Sequence, residues 1–343
     1  MRSYWSTATN RYSIYIILLV MIVISSFLSP VFFSAANFSN ISRQISITTI
    51  LAFGQTLLII CGLIDLSAGS VLALSGLLAV IAFKAVGSPI IALFVGIAVG
   101  VACNAVNGYI VTKFRTPPFI ATLAMMTSAR GAALMLTGGQ NIYQLSDFIV
   151  WGQGTLLGVP TPVIFLLSVT AFTWYLLNHS RLGRYIFAIG GNQEAARASG
   201  VEVNNIKIKA YLINGVFVGI AGVLYMSRVN AGLPNAGIGF EFDAMTAAII
   251  GGTSFSGGVG SAVGTLAGAF IMGFLSNIMN LLGIQSYMQQ VIKGGIIVLA
   301  VAYDIASKNR RTLKILGSLD EKKEVPSNSS PLSTAEAPAD QKL

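Results

Sequence analysis

The chain has 343 residues, of which 54% are hydrophobic and 10% charged, against roughly 25% charged in soluble domains. That excludes a soluble globular fold, which could not cover its surface with so few charges. The formal net charge of +9 would suit a nucleic-acid binder, but the windows 85–112 and 244–292 contain no Lys, Arg, Asp or Glu, and a bilayer span needs about 20 apolar residues.

The elements follow in chain order. An apolar run at 12–28 comes after Arg2 and Arg11. It is long for a signal peptide and no small-x-small site precedes Pro30, so it reads as a retained first span. Ten spans fit in all: 12–29, 45–64, 66–83, 89–112, 118–137, 160–178, 209–228, 242–256, 260–282 and 287–305. Helices are expected throughout, because lipid cannot satisfy free backbone groups and no barrel-type alternation is visible. With the N-terminus inside, 16 of the 21 basic residues fall on inner segments or the tail. The positive-inside rule therefore gives an N-in, C-in topology and accounts for the charge without nucleic acid. The expected organisation is a transmembrane domain over 1–311, with an inner loop at 179–208, followed by a tail at 312–343. The tail is too poor in apolar residues to pack and is expected to be disordered. Cys61 and Cys103 sit in apolar runs, with no zinc pattern and no disulfide framework.

Polar residues inside spans are costly, so they are candidates for function. Asp65 is the only charge between Arg43 and Lys84 and is followed by Ser67, Gly69 and Ser70. Two readings stand: a carboxylate near a translocation path, or a cap for the helix that starts at Leu66. Arg130 lies mid-span, with Asp65, Glu241 and Asp243 as candidate partners. Lys293 and Asp304 are 11 residues apart, roughly 16 Å in a helix, so they do not pair and are expected to make structural contacts. Asn104 and Asn107 are one turn apart, as are Asn277 and Asn280. With Thr122, these amides and hydroxyls suit an uncharged polyol, because each can donate and accept. Hydrogen bonding between helices explains the asparagine pairs equally well. Small-x-x-x-small spacing at Gly96/Gly100, Gly215/Gly219 and Gly260/Gly264/Gly268 implies close helix approach within the chain, with a dimer face open for the last series.

Signals of catalysis are missing. There is no Gly-Lys dipeptide and hence no P-loop, no G-x-S-x-G elbow, and a single histidine, His179. The inner loop is the informative soluble segment. In Gly191-Asn192-Gln193-Glu194-Ala195-Ala196-Arg197-Ala198-Ser199-Gly200, Asn192 is a good N-cap, Glu194 in the first turn suits the helix dipole, and Gly200 is a natural stop. The spacing predicts a helix of about two turns on the cytoplasmic face. Such a helix is marginal alone, and would suit docking into a groove of another protein.

Here the chain resembles a family. Glu194-Ala195-Ala196 followed by Gly200 resembles the EAA-x-x-x-G signature of ABC importer permeases, although Asn204-Asn205-Ile206 stands where Ile-x-Leu-Pro is usual. The segments 181–184 and 188–192, together with Asp65-Leu66-Ser67-Ala68-Gly69-Ser70, Thr116-Pro117-Pro118-Phe119-Ile120-Ala121-Thr122-Leu123 and Gly251-Gly252-Thr253-Ser254-Phe255-Ser256-Gly257-Gly258, resemble the ribose-type branch. The resemblance covers roughly 12–306. It implies an all-α inner-membrane permease of a bacterium that imports a monosaccharide and has no catalytic or metal site. It further implies an ABC ATPase subunit that binds the ATP, a periplasmic or extracellular sugar-binding protein, and a second permease copy. The ATPase-coupling residues would be Asn192, Glu194, Ala195, Ala196, Arg197 and Gly200. The candidate path residues are Asp65, Ser67, Asn104, Asn107, Thr122, Arg130, Asn277 and Asn280. The alternatives are a permease for another small solute such as a branched-chain amino acid, or an ion-coupled secondary transporter. An intramembrane enzyme is disfavoured by the missing constellations.

Overall fold

The computed structural model describes residues 16–323. They form twelve helices: α1 (Ile16–Leu28), α2 (Ala35–Ile60), α3 (Ala68–Val86), α4 (Pro89–Lys113), α5 (Pro118–Thr137), α6 (Thr161–His179), α7 (Arg181–Gly191), α8 (Gln193–Ala198), α9 (Val203–Val229), α10 (Phe240–Ile250), α11 (Ala262–Leu281) and α12 (Ser286–Lys323). Eight of them have spans long and apolar enough to cross a bilayer: α2 to α6, α9, α11, and the 286–306 part of α12. The residues 324–343 of the expected disordered tail lie outside the described part, as does the start of the first expected span.

The expected eighth span at 242–256 holds a shorter helix than expected. Its helix, α10, has 11 residues, or roughly 16 Å, against a hydrocarbon core about 30 Å thick. Glycines set both limits. Gly239 enters with φ +84, and Gly251 and Gly252 (φ +88) stop the helix. The chain then turns through 251–261 with Gly257 and Gly258 also at positive φ, a conformation that side chains with a Cβ resist.

The centre of the bundle is α2, α3, α4 and α9, whose mutual faces form the main apolar core. Glycines allow the closest approaches. A Cβ on Gly100 would lie 2.3 Å from the Gly215 carbonyl oxygen, and one on Gly219 2.6 Å from the Ile97 Cα, so the two glycine pairs seat α4 directly on α9. The 260–268 series does the same within the chain. Cβ atoms on Gly264 and Gly268 would each lie 2.1 Å from α10-side carbonyls, of Gly251 and Ala247. The helices α10 and α11 lie against α2, and α5 and α6 flank the centre. A smaller cluster of Phe32, Ile41, Ile45 and Phe274 receives Leu18, Met21 and Ile22 of α1. The exposed stripe of α4 at Phe94, Ala98, Ala102 and Val106 is wholly apolar, as lipid requires.

The outer ends are tied by the 138–160 connection. β1 (Ile142–Tyr143) pairs antiparallel with β4 (Ala231–Gly232), and β2 (Thr155–Leu156) with β3 (Val159–Pro160). The Ser227 hydroxyl accepts from Gly152 N and donates to the Phe148 carbonyl, both at 2.7 Å. The Trp151 indole donates to the Pro89 carbonyl at 2.9 Å.

Candidate functional site

Two regions carry polar chemistry. The first is the inner loop. α7 starts on Ser180, whose hydroxyl accepts from Gly183 N at 2.9 Å, and it buries Gly183, Ile186 and Ile189. The following helix, α8, is built as its residues dictate. Asn192 is extended (φ −159, ψ 106) and its side-chain oxygen accepts from Ala195 N at 3.0 Å. Arg197 bridges both Glu194 carboxylate oxygens at 3.0 and 3.1 Å. Gly200 takes φ +83, which lets Val201 N reach the Ala196 carbonyl at 3.1 Å. Ala196 is the buried residue of this helix, while Glu194, Ala195 and Arg197 face outward. Beside it, Arg197 and the 201–205 segment line a groove of about 370 Å³.

The loop is seated on the bundle by the buried side chains of Ile186, Ile189 and Ala196 and, at the end of α7, by direct backbone contact. A Cβ on Gly190 would lie 1.7 Å from the Ile60 carbonyl oxygen and 2.6 Å from Gly258 N. Gly258 N in turn donates to the Ile60 carbonyl at 2.9 Å. The ends of α2 and α7 and the 251–261 turn thus meet with no side chain between them.

The second region lies just beyond Ile60. Between α2 and α3 the chain is unwound, and Asp65 sits there with no exposed surface. One carboxylate oxygen accepts from Ser67 N at 2.7 Å and from the Ser67 hydroxyl at 2.5 Å. The other accepts from the Asn214 amide at 2.7 Å. That amide also donates to Asn104 at 2.9 Å, and Asn107 donates to the Ser67 hydroxyl at 3.1 Å. Gln55 holds the Asp65 carbonyl at 2.6 Å, and the Tyr211 hydroxyl holds that of Ile64 at 3.2 Å. Four of the sequence candidates, Asp65, Ser67, Asn104 and Asn107, therefore form one cluster, fully buried in the protomer. Gln55, Tyr211 and Asn214 complete it. Gln55 and Asn214 were legible as lone amides in apolar runs, under the same rule that selected Asp65.

The remaining candidates lie apart. Thr122 is buried and bonds back to the Pro118 carbonyl at 2.9 Å. The expected carboxylate partner of Arg130 is corrected: the guanidinium donates to the Pro234 carbonyl at 2.6 Å, and no carboxylate lies within ion-pair distance among the described residues. Of its expected partners, Asp243 is instead paired with Lys293 at 2.7 Å. Asn277 exchanges bonds with Asn37 at 2.9 and 3.4 Å, and Asn280 accepts from Gln289 at 2.9 Å. Asp304 accepts from Ser254 at 3.2 Å and from Phe255 N at 3.0 Å. Among the described residues, no three His, Cys, Asp or Glu gather where a metal could be held.

The bundle of many apolar spans, with a capped helix exposed on its inner face, is placed among the multi-pass transport permeases by its family and its relatives. The chain is a member of the family described as branched-chain amino acid transport system / permease component, whose family model matches residues 37–301. It is 46% identical to the ribose import permease protein RbsC of Escherichia coli K12, over 84% of this chain and 92% of the relative. It is 39% identical to the D-allose transport system permease protein AlsC of the same strain, over 86% and 91%. The xylose transport system permease protein XylH of that strain is 35% identical, over 81% and 87%. The resemblance to the ribose-type branch is borne out by these relatives, and the chain is a multi-pass protein of the bacterial inner membrane. No solved structure matches it.

Proposed function

We propose that this chain is the permease subunit of an ATP-binding-cassette importer for a monosaccharide of the pentose or hexose type. The observation that carries the reading is α8: a two-turn helix with both ends capped and an exposed acidic first turn, following directly on the end of α7 that is seated by backbone contact on the inner end of the bundle. The ribose, allose and xylose named for its relatives support a sugar over a branched-chain amino acid. In this reading a separate ATPase docks on Asn192, Glu194, Ala195, Ala196, Arg197 and Gly200, binds the ATP and hydrolyses it. The permease needs no cofactor of its own. A substrate-binding protein delivers sugar at the outer face, and a second permease copy closes the path.

Among the candidate path residues, Arg130 and Asn280 keep exposed surface, while Asp65, Ser67, Asn104, Asn107, Thr122 and Asn277 are buried. The path is proposed to run beside Arg130, where Thr127 and Ser128 of α5 are also exposed. Such polar groups are ill suited to lipid. The buried group holds the wall from behind.

The test is co-purification from mild detergent with tagged protein, followed by uptake of labelled ribose, allose and xylose into vesicles. A P-loop ATPase is expected in the eluate of wild type and absent from that of Glu194→Lys, with ATP-dependent uptake of one of the sugars. An ATPase retained by Glu194→Lys and Gly200→Pro refutes the docking assignment. Ion-driven uptake without an ATPase refutes the importer reading.

A further inference from the structure

We propose that the exposed face of α7, with the last turn of α6, binds the headgroup of an anionic phospholipid in the cytoplasmic leaflet. The inner end of α6 carries Trp174 and Tyr175, exposed at 46% and 60%. His179 packs on both rings, with centroids 4.8 and 5.7 Å away, and lies parallel to Tyr175 within 8°. Rings with an apolar body and a polar edge collect at the membrane–water boundary, so this turn marks the inner edge of the bilayer.

The chain turns at Ser180 and α7 begins at that edge. Its protein-facing side is Gly183, Ile186 and Ile189. Its other side presents Arg181, Arg184, Tyr185 and Ala188, all exposed and spaced i, i+3, i+4, i+7, which makes one stripe. Among the described residues, neither arginine has a carboxylate within 4 Å. The described ion pairs are Arg197–Glu194 and Lys293–Asp243. Arg184 makes one long contact, to the His179 carbonyl at 3.4 Å. Two open guanidinium groups thus stand one turn apart directly beneath an interfacial aromatic cluster.

The planar fork of arginine matches phosphate oxygens. With neither charge paired to a carboxylate among the described residues, the stripe selects a headgroup of net negative charge over a zwitterionic one. A protein partner is the competing occupant. The lipid is favoured because the adjoining aromatics belong to the spanning helix α6. This inference requires only that the chain spans a bilayer, and does not rest on what the chain transports.

The experiment uses the full chain in lipid nanodiscs of phosphatidylcholine carrying an equal minor fraction of brominated phosphatidylglycerol or brominated phosphatidylcholine. The Trp174 signal is isolated as the difference between wild type and Trp174→Phe. Attraction of a basic residue to an anionic membrane surface is worth about five-fold in affinity. Brominated phosphatidylglycerol is therefore expected to quench Trp174 several-fold more than its zwitterionic counterpart. The preference should fall with added salt and vanish in Arg181→Gln/Arg184→Gln. Equal quenching by the two lipids in wild type overturns the proposal, as does a preference that survives the double substitution. A preference that disappears once the co-purified ATPase is added assigns this face to the protein partner instead.

Discussion

The Asp65 cluster makes a prediction with a definite sign. Every group directed at its carboxylate is a donor: Ser67 N, the Ser67 hydroxyl and the Asn214 amide. Asp65→Asn can keep the oxygen that serves Ser67, but its NH₂ then faces the Asn214 NH₂, or Asn214 turns its unpartnered oxygen over and gives up its bond to Asn104. Losing a bond to a charged acceptor is worth about 1.5–3 kcal/mol, partly offset because a neutral amide is less costly to bury than a charge. A net loss of about 2 kcal/mol is expected. Asn214→Asp is predicted to be at least as damaging, since it brings two carboxylates together. In the double variant the amide introduced at position 65 faces the carboxylate introduced at position 214. Donor and acceptor are then exchanged and the pair is restored, although Asn104 loses its donor. The assay is thermal unfolding of the purified protein in detergent for wild type, both single variants and the double. The expected result is a double variant more stable than the sum of the singles by about 1–2 kcal/mol, in the range for residues in contact. Strict additivity, or an Asp65→Asn protein as stable as wild type, refutes the donor-only description of this cluster.

Two other substitutions test the seating of the loop and the membrane ion pair. Gly190→Ala places a methyl group 1.7 Å from the Ile60 carbonyl oxygen, so backbone must move. Uptake should fall sharply and the melting temperature drop, while Gly191→Ala, whose Cβ meets nothing within 4 Å, should behave as wild type in both assays. Lys293→Met strips the mostly buried Asp243 of its partner and is expected to destabilise by about 3 kcal/mol, with much of the loss recovered in Lys293→Met/Asp243→Asn. Thermal unfolding of the three proteins checks this, and no recovery in the double variant would contradict it.

The helices were readable because their signals are local. Asn192, Glu194 and Gly200 cap a helix wherever it is placed, and α8 has the expected ends. The short α10 was harder to see. Residues 242–256 are apolar enough for a span, and its length was set by which glycines adopt positive φ, a property fixed by packing and absent from hydropathy. The partner of Arg130 was illegible for another reason: backbone carbonyls have no letter in the sequence, so a search among acids could not find Pro234. The Asp65 cluster was half legible. Single polar residues stood out against apolar runs, but which of them meet depends on the register of α4 against α9, and that register is set by glycine contacts at Gly100 and Gly215.

The carboxylate at 65 and the amide that holds it are 149 residues apart in the chain. During synthesis at about 5–20 residues per second, Asp65 is therefore made roughly 7–30 s before Asn214. Through that interval the Asp65 carboxylate has the Ser67 donors of its own segment but lacks the amide that serves its second oxygen. The site is thus completed late, by one side chain on α9, and Asn214 substitutions are expected to show as faster turnover of newly made protein.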